Sequence, residues 1–485
     1  MEYKVSKDER LVTQITPKSE DFSRWYVDVI KKAELADYAP MKGMMVIRPY
    51  GYAVWEHIQH LLDKRIKESG HVNAYFPLFI PDSFLQKETE HLEGFSPEVA
   101  WVTHGGAEEL EERLAVRPTS EAIIGNMYSK WIKSWRDLPV LINQWANIVR
   151  WEKVTRPFLR TTEFLWQEGH TAHESFEEAE KETLMILGMY REFAENELAI
   201  PVVFGRKSER ERFAGALETY AIEALMSDGK ALQMGTSHNL GQQFSKVFNI
   251  RFEDRDQKLQ YVWQTSWGVS TRLVGAVIMA HGDDSGLRFP PRIAPTQIVI
   301  VPISLGNWRT EVLPTAEKLE KELRQKGWRV ELDDREEFTP GWKFSEYEMR
   351  GVPLRIEIGP RDIQKNQVVI VRRDTMKKES FNLDSVIDDV PEILDSIQSA
   401  LLEQALKFQQ QNTHDVENYE EFKSILESKR GFIRTFWCEK QECEDLIKEE
   451  TMATIRVIPL EQNKKGRCVC CGSESDQWVY FARAY

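Results

Sequence analysis

Asn147-Ile148-Val149-Arg150-Trp151-Glu152, followed by Arg160-Thr161-Thr162-Glu163-Phe164-Leu165-Trp166-Gln167-Glu168-Gly169-His170, sets two arginines among aromatic rings and carboxylates. The pattern predicts a strand over 148–151, a turn around Pro157, and a returning strand opened by Arg160. Such a hairpin can hold guanidinium forks over phosphates while Phe164 offers a ring face to a base. A surface hairpin laced with ordinary charge pairs uses the same residue types. The reading therefore depends on the rest of the chain.

Outward from the hairpin, 485 residues are too many for one core and imply two to four domains. Hydrophobic residues at 41% and charged residues at 29% describe a globular chain. The N-terminus, Met1-Glu2-Tyr3-Lys4, has no apolar signal-peptide core, and no run approaches the roughly 20 apolar residues of a membrane helix. A cytoplasmic location, away from membranes, is expected. A net charge of −14 argues against DNA or indiscriminate nucleic-acid binding. Residues 350–378 nevertheless carry a local excess of +5, from Arg350, Arg355, Arg361, Lys365, Arg372, Arg373, Lys377 and Lys378 against Glu357, Asp362 and Asp374.

Helical spacing is expected through Trp25, Val29 and Ala33, and again from Tyr52 to a C-cap at Gly70, before a strand over 73–78 that stops at proline. An amphipathic helix over 173–198 places Phe176, Ala179, Leu184, Leu187, Tyr190, Ala194 and Leu198 on a core stripe. The proline-punctuated connector 289–295 is the best boundary available. It separates residues 1–289 from a unit of alternating strands and helices, 290–411, and a third unit, 412–485, with cysteine-bearing strands. Cys438, Cys443, Cys468, Cys470 and Cys471 all lie in the last 48 residues. Clustering of that kind favours a metal over disulfides. The pairs Cys438-x4-Cys443 and Cys468-x2-Cys471 suit a closed tetrahedral zinc site of structural type, with Cys470 a possible replacement.

Three more clusters join the hairpin. Arg117-Pro118-Thr119-Ser120-Glu121 is expected in a loop before a helix, Gln233 to Gly241 in a small polar turn, and Ser266 to Arg272 at the mouth of an apolar helix. Each has a bland alternative: Thr119 as an N-cap, His238 as a satisfied core histidine, Arg272 in a surface ion pair.

Taken in order, the clusters resemble the prolyl-tRNA synthetases of archaeal and eukaryotic-like type, which are class II aminoacyl-tRNA synthetases. Arg150 to His170 is similar to class II motif 2, Gly268 to Arg272 to motif 3, and the helix from Tyr52 with the strand to Pro77 to motif 1. The resemblance implies an α+β catalytic domain on an antiparallel sheet, an α/β anticodon-binding domain and a small zinc-bound α+β C-terminal domain. It implies a homodimer that activates proline with ATP and Mg²⁺ and charges tRNA(Pro).

On that resemblance Arg150 bridges the amino-acid carboxylate and the α-phosphate. Glu152, Arg160, Thr161 and Phe164 hold ATP, with Phe164 on adenine. Arg272 covers the other side with Ser270 and Thr236 nearby, and Gln233 touches ATP and its Mg²⁺. Thr119 and Glu121 accept the two N–H bonds of the secondary ammonium, and Trp166 and His238 wall the pyrrolidine ring. Cys438, Cys443, Cys468 and Cys471 match the family's Zn²⁺ ligands. The +5 segment becomes an RNA face, with Arg335, Glu357, Arg361 and Lys365 as candidate base readers. The aromatic end, Tyr485, also matches the family. His170 and His173 are read as packing or pocket residues rather than metal ligands. Two alternatives stand beside this reading: a sister class II synthetase of different specificity, and a silent tRNA-binding paralogue.

Overall fold

The computed structural model describes residues 14–91 and 98–485, so the N-terminal tetrapeptide read above lies outside it. Among the described residues, helix α1 (Phe22–Lys32) is opened by Asp21, whose carboxylate accepts from the Arg24 amide. Helix α2 (Pro49–Glu68) starts on proline, and Gly70 follows its end at φ +96°. The expected strand over 73–78 is much shorter: only Val72–Asn73 (β1) pairs into the main sheet, and Phe79–Pro81 joins a separate three-stranded sheet.

The main sheet continues with β2 (Val140–Val149) and β3 (Glu163–His173). Helices α3 (Glu121–Trp131) and α4 (Phe176–Asn196) flank it in sequence. Strands β4 (Val203–Arg206), β5 (Glu218–Leu225), β6 (Ala231–Gly241) and β7 (Trp263–Ser270) complete it, and α5 (Arg272–His281) follows. The spatial order is β1-β2-β3-β7-β6-β5-β4, antiparallel throughout except for the parallel β1–β2 edge. Helix α4 is capped by Ser175, carries Glu177 and Glu178 in its first turn, and buries Ala179, Leu187, Tyr190 and Ala194 against β5, β6 and β7. Phe176 and Leu184 depart from the expected stripe and stay partly exposed. The segment from Gln233 to Gly241 is a central strand, not a turn. Its small polar residues are satisfied by helix α4: Ser237 donates to the Thr183 carbonyl and Asn239 to Glu180.

A mixed five-stranded sheet follows, from β8 (Ile298–Pro302), β9 (Val330–Leu332), β10 (Leu354–Ile358), β11 (Gln367–Arg372) and β12 (Lys378–Asn382), in the order β9-β8-β10-β11-β12. Only the β9–β8 and β8–β10 pairs are parallel. Its +5 segment is mostly neutralised. Arg355 pairs with Glu348 and Glu357, Arg372 with Asp374, Arg373 with Asp283, Lys378 with Glu357, and Arg350 with Glu34 and Glu346. Arg335 is gripped by Asp333 and Glu346. Only Arg361 and Lys365 among these cations have no carboxylate within ion-pair distance among the described residues. The other cations of the segment are each ion-paired, Lys377 with Glu379.

The last sheet has the order β13 (Thr413–Asp415), β14 (Phe432–Phe436), β16 (Trp478–Arg483), β15 (Ala453–Val457). The cysteines are not on its strands. Cys438 lies in the loop after β14, Cys443 in helix α6 (Gln441–Thr451), and Cys468 and Cys471 in the turn after Arg467. This module docks on the free edge of the main sheet: Arg206 and Ile458 exchange backbone N–H···O bonds of 2.8 and 2.7 Å. A Cβ on Gly205 would sit 2.2 Å from the Ile458 carbonyl oxygen, so only glycine allows that approach.

Candidate active site

The hairpin β2–β3 keeps register from Val140↔Ala172 to Val149↔Glu163. The ladder then opens, and Arg150 is held by its amide on the Thr162 carbonyl (2.8 Å) and by its Nε on the Pro118 carbonyl (3.0 Å). Its guanidinium lies 5.6 Å from the Phe164 ring and 5.4 Å from that of Trp166. Arg160 does not open β3. It stays in the connecting loop, more than half exposed, with Nε 2.7 Å from Glu152.

The loop before α3 is tied down by the buried Arg117, which donates to the Phe76 and Asn147 carbonyls and to Asn147 Oδ1. That strap presents Thr119 and Glu121 to the cleft, where the Thr119 hydroxyl donates to Glu121 Oε2. Below them, Glu168 accepts from Ser120 (2.5 Å) and Gln144 (2.8 Å) and pairs with His170 at 2.9 Å. Burial alone would raise Glu168, but His170 and the two hydrogen bonds hold it below the usual carboxylate range. Burial would likewise lower His170, and Glu168 instead raises it. The pair forms a neutral, ion-paired floor. No local pattern records this network, because its members come from the loop before α3, from β2 and from β3.

Opposite, Arg272 heads α5, with Nε 3.2 Å from the Leu159 carbonyl and Nη1 3.2 Å from the Gln233 carbonyl. Burial and then the nearby Arg150 charge push its pKa down. Two desolvated guanidiniums that repel one another create a demand for an anion between them.

Of the expected residues, Thr119, Glu121, Arg150, Phe164, Trp166, Gln233, Thr236, His238, Ser270 and Arg272 line one cleft. Glu152 and Arg160 line an adjoining groove that shares Arg150. Thr161 is buried, lies in neither, and spends its hydroxyl on the Glu163 carbonyl. The cleft also takes Glu211, Phe213 and Thr219, which no sequence pattern singled out. Thr219 lies 2.9 Å from His238 Nδ1, and Phe213 packs on the same imidazole with centroids 4.7 Å apart. Tyr485 lies beside the start of β6, its amide 3.2 Å from the Ala231 carbonyl and its ring under Arg156 and Lys230.

Burial holds His238 down to about 3, with the His170 charge adding to the effect, and it holds His281, bonded to the Leu198 carbonyl, down to about 4. Both rings are therefore neutral in the fold while the unfolded chain would protonate near 6.5. Their contribution to stability is intact above 6.5 and falls as the pH drops from there toward the folded values. Ring-proton NMR is expected to show both neutral at about pH 5. A midpoint near 6.5 for either would contradict the packing described.

Away from the cleft, Sγ atoms of Cys438, Cys443, Cys468 and Cys471 lie within 4.8 Å of one another, without Cys470. Cys438 is 3.6 Å from both Cys443 and Cys471. A zinc tetrahedron with Zn–S of about 2.3 Å has edges of about 3.8 Å, so the four sulfurs fit that ion.

An antiparallel sheet with arginines at the end of a long hairpin and at the head of the following helix defines a class II aminoacyl-tRNA synthetase core. Three family models agree in order: the class II core domain for G, H, P, S and T over residues 101–281, the anticodon binding domain over 297–393, and the prolyl-tRNA synthetase C-terminal domain over 419–485. The chain is 62% identical to a proline–tRNA ligase of Natranaerobius thermophilus, covering 99% of each chain, and 58% identical to one of Alkaliphilus oremlandii at the same coverage. A crystal structure of prolyl-tRNA synthetase from Cryptosporidium parvum, complexed with halofuginone and AMPPNP, superposes with a TM-score of 0.94 at 42% identity. It covers 98% of this chain and 100% of its own. The chain belongs to the prolyl-tRNA synthetase family.

Proposed function

We propose that the cleft joins proline to the α-phosphate of ATP, releasing pyrophosphate, and that the prolyl group then passes to tRNA(Pro). The observation that carries this is the pair of half-buried, desolvated guanidiniums, Arg150 and Arg272, set across a cleft whose near end holds Glu121. Arg150 bridges the attacking carboxylate and the α-phosphate, and one planar fork suits both. Glu121 and Thr119 accept the two N–H bonds of the prolyl ammonium, and Trp166 and neutral His238 wall the ring. Phe164 and Arg272 enclose adenine, with Ser270 and Thr236 nearby and Gln233 toward the phosphates and Mg²⁺. Glu152 and Arg160, in the adjoining groove, reach ATP once their mutual pair opens. Thr161 contributes through its backbone or not at all, since its hydroxyl is already bonded.

The solved relative's AMPPNP supports ATP as the nucleotide. Zn²⁺ would be held by Cys438, Cys443, Cys468 and Cys471, which close the coordination sphere and brace the module. Exposed Val72, Tyr75, Phe79 and Trp131 support a homodimer through the motif 1 region. Light scattering is expected to give twice 56.6 kDa, and Tyr75→Arg to give the monomer. The units are taken as 1–289, 290–411 and 412–485. A cytoplasmic site of action fits a translation enzyme, and no helix among the described residues is long and apolar enough to cross a membrane. Arg361 and Lys365 are the candidates for contacts to the anticodon.

ATP–pyrophosphate exchange run separately with all twenty amino acids tests the reading. Proline alone should support fast exchange. Strong exchange with threonine, serine or glycine and none with proline would favour a sister synthetase, which family membership already sets aside.

Selection against small amino acids is expected to be imperfect. An apolar pocket gains only about 1–3 kcal/mol per methylene, and a cysteine thiol is small and weakly polar. Residues 169–232 are occupied by β3, α4, β4 and β5, leaving no space for a hydrolytic insertion. Measurable Cys-tRNA(Pro) without enzyme-dependent deacylation is expected. Rapid hydrolysis of mischarged Cys-tRNA(Pro) by the pure enzyme would contradict this.

A further inference from the structure

Between the main sheet and the cysteine-bearing module lies a cluster of charges that the proposed chemistry does not use. Arg456, on β15, makes a two-pronged bond to Glu223 on β5: Nη2 to Oε1 at 2.7 Å and Nε to Oε2 at 3.2 Å. Lys207 Nζ lies 3.1 Å from Glu223 Oε1 and donates to the Arg456 carbonyl at 2.9 Å. All three side chains are nearly or fully buried. Arg456 Nη1 is bonded to Thr454 Oγ1 (2.7 Å) and is 3.8 Å from Glu211, which lines the active-site cleft.

Glu223 occupies a special place in the sheet. Across β5–β6 it pairs with Gln233, and the register slips between Ile222 and Glu223, so Met234 is an extra residue on β6. A bulge of this kind locally breaks the ladder and re-aims the side chains beside it. The residue re-aimed here is Gln233, which lines the cleft and whose carbonyl receives Arg272. Directly paired residues share a sheet face. Glu223 is therefore on the cleft side, one strand from the nucleotide end. Both Glu223 and Arg456 contribute to the electrostatic environment of Arg272.

We propose that Arg456 of the C-terminal module is a positioning residue for the nucleotide half of the cleft. Its fork holds Glu223 at the bulge, which keeps Gln233, and through its carbonyl Arg272, in place for ATP. The C-terminal module thereby completes the geometry of the ATP site without touching ATP. A lysine in its place keeps the charge but loses the fork. Without Arg456, Glu223 keeps only Lys207 as a charged partner and loses the two-pronged bond that fixes its orientation, so it would shift within its own strand.

This inference rests on ATP lying between Arg150 and Arg272. The experiment is ATP–pyrophosphate exchange with ATP and proline varied separately in wild type, Arg456→Met, Arg456→Lys, Glu223→Gln and Arg272→Ala. Zinc content and thermal midpoint are measured on each. A misplaced group costs up to about 10²-fold. Arg456→Met is accordingly expected to raise KM for ATP about tenfold while KM for proline stays within about twofold, in a zinc-loaded protein. Arg456→Lys should recover part of the loss, and Glu223→Gln should reproduce it. If Arg456→Met does not fold, the lysine and glutamine variants decide by the same split. Unchanged KM for ATP in a folded variant, or equal losses for ATP and proline, would overturn the proposal. If Arg272→Ala also left KM for ATP unchanged, the nucleotide site itself would be misassigned. A loss confined to Arg272→Ala would sink only the role of Arg456.

Discussion

Arg150→Ala is expected to lower proline-dependent ATP–pyrophosphate exchange by at least 10²–10³-fold, roughly the cost of removing one oxyanion donor elsewhere. The effect should exceed that of any other single change in the cleft, because one guanidinium serves the attacking carboxylate and the phosphorus centre together. The fold around it should survive. Arg150 is anchored by Nε on the Pro118 carbonyl and by its backbone on Thr162, and the core beneath the hairpin does not need its side chain. The decrease should appear in kcat, with proline still bound through Glu121 and Thr119. Arg150→Lys should recover little, since an ammonium cannot span both groups. Exchange within tenfold of wild type in Arg150→Ala would refute its placement at the reacting centre.

Cys438→Ser and Cys443→Ser are expected to remove the zinc and unfold the C-terminal module. Structural zinc sites contribute on the order of 10–16 kcal/mol of apparent binding free energy. The module's own core is small, and two of its buried members, Cys443 and Cys468, are themselves ligands in the proposed site. Cys470→Ser should keep one zinc per chain, because its sulfur is outside the group of four. Metal analysis with limited proteolysis separates these cases: cleavage should begin within residues 412–485 only in the first two variants. Full zinc in Cys438→Ser and Cys443→Ser would move the metal elsewhere. Because the module is bonded to the sheet edge at Arg206 and Ile458, its loss should also weaken exchange, through ATP before proline.

The amino-acid sequence by itself determined what rests on local spacing. The arginines of the hairpin, the polar cluster before α3, the apolar run after Arg272 and the two cysteine pairs are contiguous signals whose chemistry does not depend on distant neighbours. Strand–helix alternation after residue 290 was legible for the same reason, because side-chain period is a local property.

Other features were decided only by tertiary structure. The segment from Gln233 to Gly241 looks like a turn because its residues are small and polar, yet it is a central strand. Its side chains find partners on α4, which no local pattern records. The +5 count of residues 350–378 does not record that Asp283, Glu34, Glu346 and Glu348, all outside the segment, pair with most of its arginines. Residue pattern alone puts Arg160 on a strand, but the hairpin ladder ends at Val149 and Glu163 and leaves it in the loop. Glu211, Phe213 and Thr219 enter the cleft, and Arg456 reaches Glu223 across 233 residues of sequence, only because sheet pairing and domain docking bring them there. Local spacing can name a guanidinium and a carboxylate, but burial and long-range pairing decide which of them remain free to meet a substrate.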